Sequence, residues 1–424
     1  MAVHLGRRAT GVRLLQAGAI VSAVLIAGVF ATRSTATSSR PAVRPAVAGC
    51  SAPGVTSTSV TVGLLYPNSG PLSSIFQPFR AGVDARLGVA NAAGGVYGRK
   101  ITYDWADDQA EPSVNKLAAR GLIEQNKVFA LLEQSTVATG SAAYLHQQGV
   151  PVLGTPLETV WSQYDNMFTY FTYLTRRPAV STFGDYAQAR GGTSAAMVIS
   201  PLNDASAVGG EKIRQSLASA NIPVVATIDA SGQFPDYAAL GAQVKAAGAD
   251  TLAGVVEPET FLRIAVAAKA AGANLKLIAG ITGYDQRVLD AVGKILPGFS
   301  VFLPDLPFET NRPAHRAFLT AMAVYAPQLQ PARSQVALDG WIDTDMLLRG
   351  LRAAGPCPTR AGYIKALRAV RNFDAGGLLP RPVNFSTSVG KASPCFVVVR
   401  IAPTGDRWNV DRPIPFCGHT LNQK

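Results

Sequence analysis

From Val60 onward, short runs rich in Val, Ile, Leu and Thr alternate with segments whose apolar positions recur every three or four residues. The first kind reads as strands and the second as helices. Residues 60–66 form a continuous apolar run, a buried strand. Helical spacing follows over 78–93, where Phe79, Val83 and Leu87 lie four apart and Gly94-Gly95 supplies the stop. Further strands are expected at 100–106, 128–132 and 150–153, with helices at 112–125 and 141–148 between them. After Thr175 the alternation resumes. Strands are expected at 195–200, 224–228, 251–256 and 275–279, and helices at 210–220, 236–247 and 259–271. Longer helices follow at 313–325 and 334–353, and strands near 383–385 and 395–401.

Strands that alternate with helices imply parallel sheets covered on both faces. The chain is therefore expected to be α/β, with two doubly wound parallel-sheet lobes. In such sheets ligands bind beyond the carboxyl ends of the strands. Two lobes facing each other make a cleft, although a two-domain enzyme would show the same alternation.

Composition narrows the field. The 424 residues are 48% hydrophobic and only 16% charged, which excludes a disordered chain. Only one stretch is long enough to border on a membrane span, which excludes a polytopic membrane protein. Net charge is +12, but six arginines lie before residue 50. Without them 33 basic residues face 27 acidic ones, dispersed and without aromatic interleaving. A mildly basic surface with no nucleic-acid partner is the expectation.

The N-terminus reads as an export signal. Arg7, Arg8 and Arg13 precede an uncharged apolar run, 14–31. A Ser/Thr/Pro/Ala-rich linker runs to residue 49. Val47-Ala48-Gly49-Cys50 resembles a bacterial lipobox, although it follows the apolar run by nearly twenty residues. An uncleaved anchor and a lipid on Cys50 are both open readings. The cysteines are Cys50, Cys357, Cys395 and Cys417. In an oxidising compartment an even count suggests two disulfides. Cys357 with Cys395, and Cys50 with Cys417, is the expected pairing, although sequence does not fix connectivity.

The chemistry inventory is mostly negative. The four histidines do not pair with a second ligand at metal spacing, and there is no nucleophile elbow, Walker loop or dinucleotide fingerprint. No metal, cofactor or enzymatic activity is expected. Polar residues gather at two strand ends, Asn68-Ser69-Gly70-Pro71 and Glu133-Gln134-Ser135-Thr136. The second either caps the coming helix or offers a hydroxyl and free N–H groups to an anion.

Several segments, in order, resemble one family. These are Val62-Gly63-Leu64 running to Ser69-Gly70-Pro71; Asn91-Ala92-Ala93-Gly94-Gly95-Val96-Tyr97-Gly98-Arg99-Lys100; Tyr103 to Asp108 with Glu111-Pro112; Gly149-Val150-Pro151-Val152; and Phe234-Pro235-Asp236-Tyr237. They are similar to the type I periplasmic solute-binding proteins of ABC importers, the branched-chain amino acid binding family. The likeness covers nearly all of 58–400. It implies a monomeric receptor that closes around a small solute and delivers it to a membrane permease driven by ATPases. It implies one lobe from 58–175 plus 305–378 and another from 178–303 plus 383–424, after a signal or anchor segment, 1–49. The crossovers are expected near 173–178, 303–307 and 377–383. An envelope-tethered ligand sensor of the same fold is the alternative.

The resemblance also nominates cleft residues. Ser135 stands where the family binds a ligand carboxylate. Glu158, within Thr155-Pro156-Leu157-Glu158, stands where a Thr shares that role. Thr282, beside Tyr284, replaces the acid that holds an ammonium. Glu257 replaces an aromatic, and Asn203-Asp204 occupies a loop that usually offers one. Ser69, Phe76, Gln77, Gln134 and Thr136 complete the candidates. Two acids in the cleft would repel a carboxylate, so a small polar, amide-bearing or cationic solute is expected.

Overall fold

The computed structural model describes residues 50–175, 178–200, 204–232 and 234–422. The expected signal segment and linker lie outside these residues, as does Asn203. The elements β1 (Ser59–Tyr66), α1 (Ser73–Ala92), β2 (Lys100–Asp107), α2 (Pro112–Glu124), β3 (Leu131–Glu133), α3 (Thr139–Gln147), β4 (Val152–Gly154) and β5 (Met167–Phe168) come first. Their strands form one sheet in the order β2-β1-β3-β4-β5, parallel throughout.

A second layer follows, with α4 (Thr182–Ala189), β6 (Ala195–Ile199), α5 (Asp204–Ser219), β7 (Val224–Asp229), α6 (Tyr237–Ala246), β8 (Thr251–Val255), α7 (Pro258–Ala270), β9 (Leu277–Gly280), α8 (Gln286–Val292) and β10 (Phe299–Leu303). Next come α9 (Pro313–Tyr325), α10 (Gln335–Ala354) and α11 (Arg360–Arg368), then β11 (Cys395–Ile401), β12 (Trp408–Val410) and β13 (Phe416–Cys417). The second sheet runs β12-β11-β10-β9-β8-β6-β7, with β13 paired to β11. Strands β6 to β10 are parallel, and the C-terminal strands add an antiparallel edge.

The helices α9 and α10 return to the first layer and pack on α1. A Cβ on Gly82 would stand 1.8 Å from the Ala337 carbonyl oxygen, and one on Gly340 would stand 2.2 Å from that of Phe79. Glycine at both positions lets the two backbones touch. The chain passes between layers after β5, after β10 and before β11. These passages are tied side by side. Leu306 N–H donates to the Leu378 carbonyl at 2.7 Å, and Ser393 N–H to that of Thr172 at 2.6 Å.

Several local expectations shift. α1 begins at Ser73 rather than at Pro78, which sits inside the helix. The Leu72 carbonyl accepts from the Ile75 and Phe76 N–H groups, so a turn is built ahead of the proline. α5 begins at Asp204 and runs through Gly209-Gly210. A Cβ at either glycine would press within 2.9 Å of Val255 or 2.8 Å of Ile199, so close packing on the sheet outweighs their poor helix propensity. The strand expected at 383–385 is only an isolated Phe373–Val383 bridge. Pro380 and Pro382 beside it donate no N–H. Phe385 is instead buried against Phe168 and Phe373.

The disulfide pairing also differs. Cys50 bonds Cys357, and Cys395 bonds Cys417. Cys395 and Cys417 face each other in the antiparallel β11–β13 register, with Cα atoms 4.0 Å apart. Cys357 follows α10, beside the first sheet's entry, where Cys50 lies. With its sulfur in a disulfide, Cys50 is not free to carry a lipid. Among the described residues no helix is long and apolar enough to cross a membrane.

Candidate functional site

The carboxyl ends of both sheets open into one cavity of about 900 Å³. Its first wall comes from the start of α1 (Leu72, Ile75, Phe76), from Gln134 and Thr136 after β3, and from Thr155 and Leu157 after β4. Phe171 and Tyr173, after β5, and Asp339 on α10 complete that side. The second wall comes from Val255, Val256 and Glu257 at the end of β8, Ile281, Thr282 and Tyr284 after β9, and Phe302 and Pro304 at the end of β10.

Of the expected residues, Phe76, Gln134, Thr136, Thr155, Leu157, Glu257, Thr282 and Tyr284 are therefore brought together. Ser135, Glu158, Ser69 and Gln77 point elsewhere and do not line the cavity. The Ser135 hydroxyl is fully buried, donates to Asp108 Oδ2 and accepts from Val137 N–H. It closes a turn ahead of α3, whose N-cap is Ala138, so it neither caps the helix nor faces the cavity. Glu158 accepts from Thr139 N–H at 2.9 Å and from its hydroxyl at 2.8 Å. The positive N-terminal end of α3 suits this carboxylate. It therefore belongs to a helix terminus, and the expectation of two acids facing a ligand loses one of them. Ser69 bonds Asp107, and Gln77 donates to the Asn68 carbonyl. Asp204 opens α5. Tyr284 offers only its ring, because its hydroxyl donates to Glu309 and accepts from Phe308 N–H.

A polar network lies behind the first wall. Gln134 Nε2 donates to Asp339 Oδ2 at 3.2 Å, and the Tyr170 hydroxyl donates to Oδ1 at 2.7 Å. One turn along α10, Asp343 accepts from Thr155 at 3.3 Å. Asp305, in the passage after β10, finds no donor for either carboxylate oxygen on another described residue. Burial pushes Asp339 up to about 6. Burial, and then the Asp339 charge, pushes Asp305 and Asp343 well above the usual carboxylate range. Neighbouring buried acids cannot all ionise. Gln134 Oε1 is buried, aimed into this region and unpartnered, so it calls for a donor.

A second buried group sits below the first. Asn115 donates to Asp108 at 3.1 Å and to Glu133 at 3.0 Å. Burial pushes Glu133 up to about 8, aided by the charges of Asp108 and Glu158. Among the described residues no set of three or more His, Cys, Asp or Glu is arranged to hold a metal ion. Both clusters are hydrogen-bonding groups.

Sequence reasoning missed Asp339, Phe171, Tyr173 and Phe302. The signal for Asp339 was present: two acids four residues apart, Asp339 and Asp343, interrupt an otherwise apolar helical face. The aromatic residues gave no signal, since their positions depend on how the layers meet.

Known proteins share this architecture. A solved ABC transporter substrate-binding protein from Aeropyrum pernix superposes with a TM-score of 0.73 at 14% identity, covering 86% of this chain and 97% of that one. A fatty acid ABC transporter substrate-binding protein from Thermomonospora curvata gives 0.71 at 17% identity, covering 87% and 95%. Leu/Ile/Val-binding protein homolog 3 of Brucella melitensis is 30% identical over 101 residues, which are 24% of this chain and 27% of that protein. That match spans about a quarter of the relative's length. The family model described as periplasmic binding protein matches residues 59–406, β1 through the loop before β12. With that span of sequence and this arrangement of sheets, the chain belongs to the type I periplasmic binding protein family.

Proposed function

We propose that this protein is the extracytoplasmic solute-binding component of an ABC importer. The first sheet with α9 to α11 forms one lobe and the second sheet the other, and the three tied passages act as the hinge. One observation carries the reading: a single cavity of about 900 Å³ draws its walls from the carboxyl ends of both sheets. Closure of such a cleft buries a ligand between lobes. Family membership and two disulfides, which persist in oxidising compartments, support export. A membrane permease and its ATPases are the partners this role requires.

The expectation of a small polar or cationic solute rested on Glu158 and Glu257 together. With Glu158 held by α3, the cleft favours a different balance. Most of its wall is aliphatic or aromatic, while Gln134 and Asp339 offer acceptors at one end. The ligand is read as a solute with an apolar body and a head that donates hydrogen bonds, such as an amide, ammonium or hydroxyl.

A thermal-shift screen of amino acids, amides, amines, alcohols, sugars and aromatic acids tests this. A ligand at a hundred times its dissociation constant adds about 2.7 kcal/mol, a shift of several degrees. Stabilisation confined to donor-headed apolar compounds is the expected result. Stabilisation by sugars alone would overturn the ligand class, and none from any class would overturn the receptor reading.

A further inference from the structure

The cavity does not end at the cleft. It continues between α7 and α8, where Leu262 and Val266 on one helix face Val288 and Val292 on the other, with Ile295 just beyond. Each pair is spaced by four residues, so each helix turns one stripe toward the gap. The opposite face of α7 is spent in the core through Phe261, Ile264, Ala265 and Ala268. Leu262 is buried and Val266, Val288 and Val292 pack on the core by one side while staying only partly buried, and Ile295 is 45% exposed, so the outer edge of this apolar stripe is open to the cavity. The charged groups at its mouth satisfy each other. Arg263 pairs with Glu259 at 2.7 Å, and Arg287 with Asp285 at 3.1 Å. The groove asks for no counter-charge.

From Pro258 to Val266 the groove follows α7 for about 12 Å. That is room for an extended chain of roughly eight to ten carbons, given carbon–carbon bonds near 1.5 Å in a staggered zigzag. We propose that the groove between α7 and α8 is a subsite for an unbranched apolar tail on the solute that the cleft captures. This rests on the receptor reading above. The head sits at Gln134 and Asp339, and the tail leaves the cleft across Val256 and Tyr284 into the groove. The occupant is fixed by continuity: one space joins the polar end of the cleft to an uncovered apolar slot, so a single amphipathic molecule fills both.

Two homologous series test it, straight-chain primary amides from butanamide to decanamide and the matching carboxylates, titrated calorimetrically into the protein. Burying each methylene should raise affinity about four-fold. Four added methylenes then give a gain on the order of a hundredfold. Val292→Trp, and independently Val266→Trp, should flatten this dependence on length; the slope is the readout, in variants whose unfolding midpoint shows them folded. A flat slope in the unaltered protein, with the short members still binding, would overturn the groove and leave the receptor standing. A steep slope that survives in both Trp variants would place the tail elsewhere and overturn it too. A steep slope in the carboxylates alone would support the groove and overturn the donor-head reading. No binding by any member would overturn both.

Discussion

The two walls of the cleft are built from the same kind of strand end yet carry opposite chemistry. Beyond β3, β4 and α10 the first wall backs its apolar residues with a bonded polar network, in which Gln134 and Tyr170 hold Asp339 and Thr155 holds Asp343. Beyond β8, β9 and β10 the second is apolar and ends in aromatic packing, with Phe302 lying 4.5 Å from Phe183 and 5.2 Å from Tyr186. The polar wall has fixed geometry and few free groups, so it suits orientation. The apolar wall supplies contact area, where binding energy scales with what is buried. The contrast divides specificity and affinity between the two sheets.

The largest effect is expected on the apolar side. Phe302 is buried against Phe183, Tyr186 and Phe396 while one edge meets the cavity. Phe302→Ala should cost about 3–5 kcal/mol in denaturant unfolding, because the surrounding rings cannot collapse into the space. A loss below about 1 kcal/mol would show that this wall is loosely packed and not the rigid surface described.

Next comes a pH effect that separates the buried acids beside the two sheets. Glu133 and Asp339 are pushed up to about 8 and about 6 by burial. A raised pKa means the folded state binds protons more tightly than the unfolded chain. Their contribution is present below the unfolded values and is lost as pH rises through about 6 and then about 8. On the second sheet, burial alone would raise Asp250, but bonds from Lys276, Thr193 and Ser194 hold it well below the usual range. Its contribution is present above its unfolded value and lost only in stronger acid. Between pH 5 and pH 9 the unfolding midpoint should therefore fall, driven by Glu133 and Asp339. Glu133→Gln should flatten the upper part of that curve, a change on the order of 2 kcal/mol. An unaltered slope in that variant would remove Glu133 from the account.

The same contrast explains what the sequence could reveal. Alternating strands and helices carry a local period, so β1 to β4 and β6 to β9 were legible. The short strands β5, β12 and β13, of two or three residues, have no period to read. β10, Phe-Ser-Val-Phe-Leu, is a short strand buried throughout and shows no sustained alternation. The polar wall was half legible, since Gln134, Thr136 and Thr155 follow strand ends directly. Ser135 and Glu158 stand one residue from Gln134 and Leu157, yet turn away from the cavity, and a strand end does not announce which neighbour turns inward. The apolar wall was legible through the resemblance at Glu257, Thr282 and Tyr284, whereas Phe302, Leu262 and Val288 look like any core residue until two helices are seen to stand apart. The disulfides failed for a similar reason. Cys395 and Cys417 meet through a hairpin-like return of the tail, which no spacing rule encodes.

Ser135 gives a sharper cut at the polar wall. The resemblance nominated it to hold a ligand carboxylate, yet its hydroxyl is committed to Asp108 and to the turn before α3. Ser135→Ala should leave Asp108 short of a donor in a buried site. The expected cost is about 1–2 kcal/mol of stability, with ligand affinity unchanged within about two-fold. A variant of full stability with weakened binding would reverse the assignment and return Ser135 to the site.

The smallest effect concerns Glu257, an acid on the apolar wall that lies outside the Arg263–Glu259 and Arg287–Asp285 pairs. Glu257 precedes α7, makes no side-chain cap bond there, and lines the cavity in a partly exposed position. A solvated carboxylate interacts weakly with a ligand charge and is screened by salt. If the head of the ligand is a neutral donor seated at Gln134 and Asp339, Glu257→Gln should leave affinity unchanged at all salt concentrations. If the head is an ammonium that reaches across the cleft, the same change should weaken binding by up to about five-fold, an effect below about 1 kcal/mol that fades as salt is added. Titration at low and high ionic strength thus decides whether the second wall takes any part in reading the head. A loss much larger than five-fold, insensitive to salt, would mean that Glu257 is desolvated on closure, and the division of labour between a polar and an apolar wall would then fail.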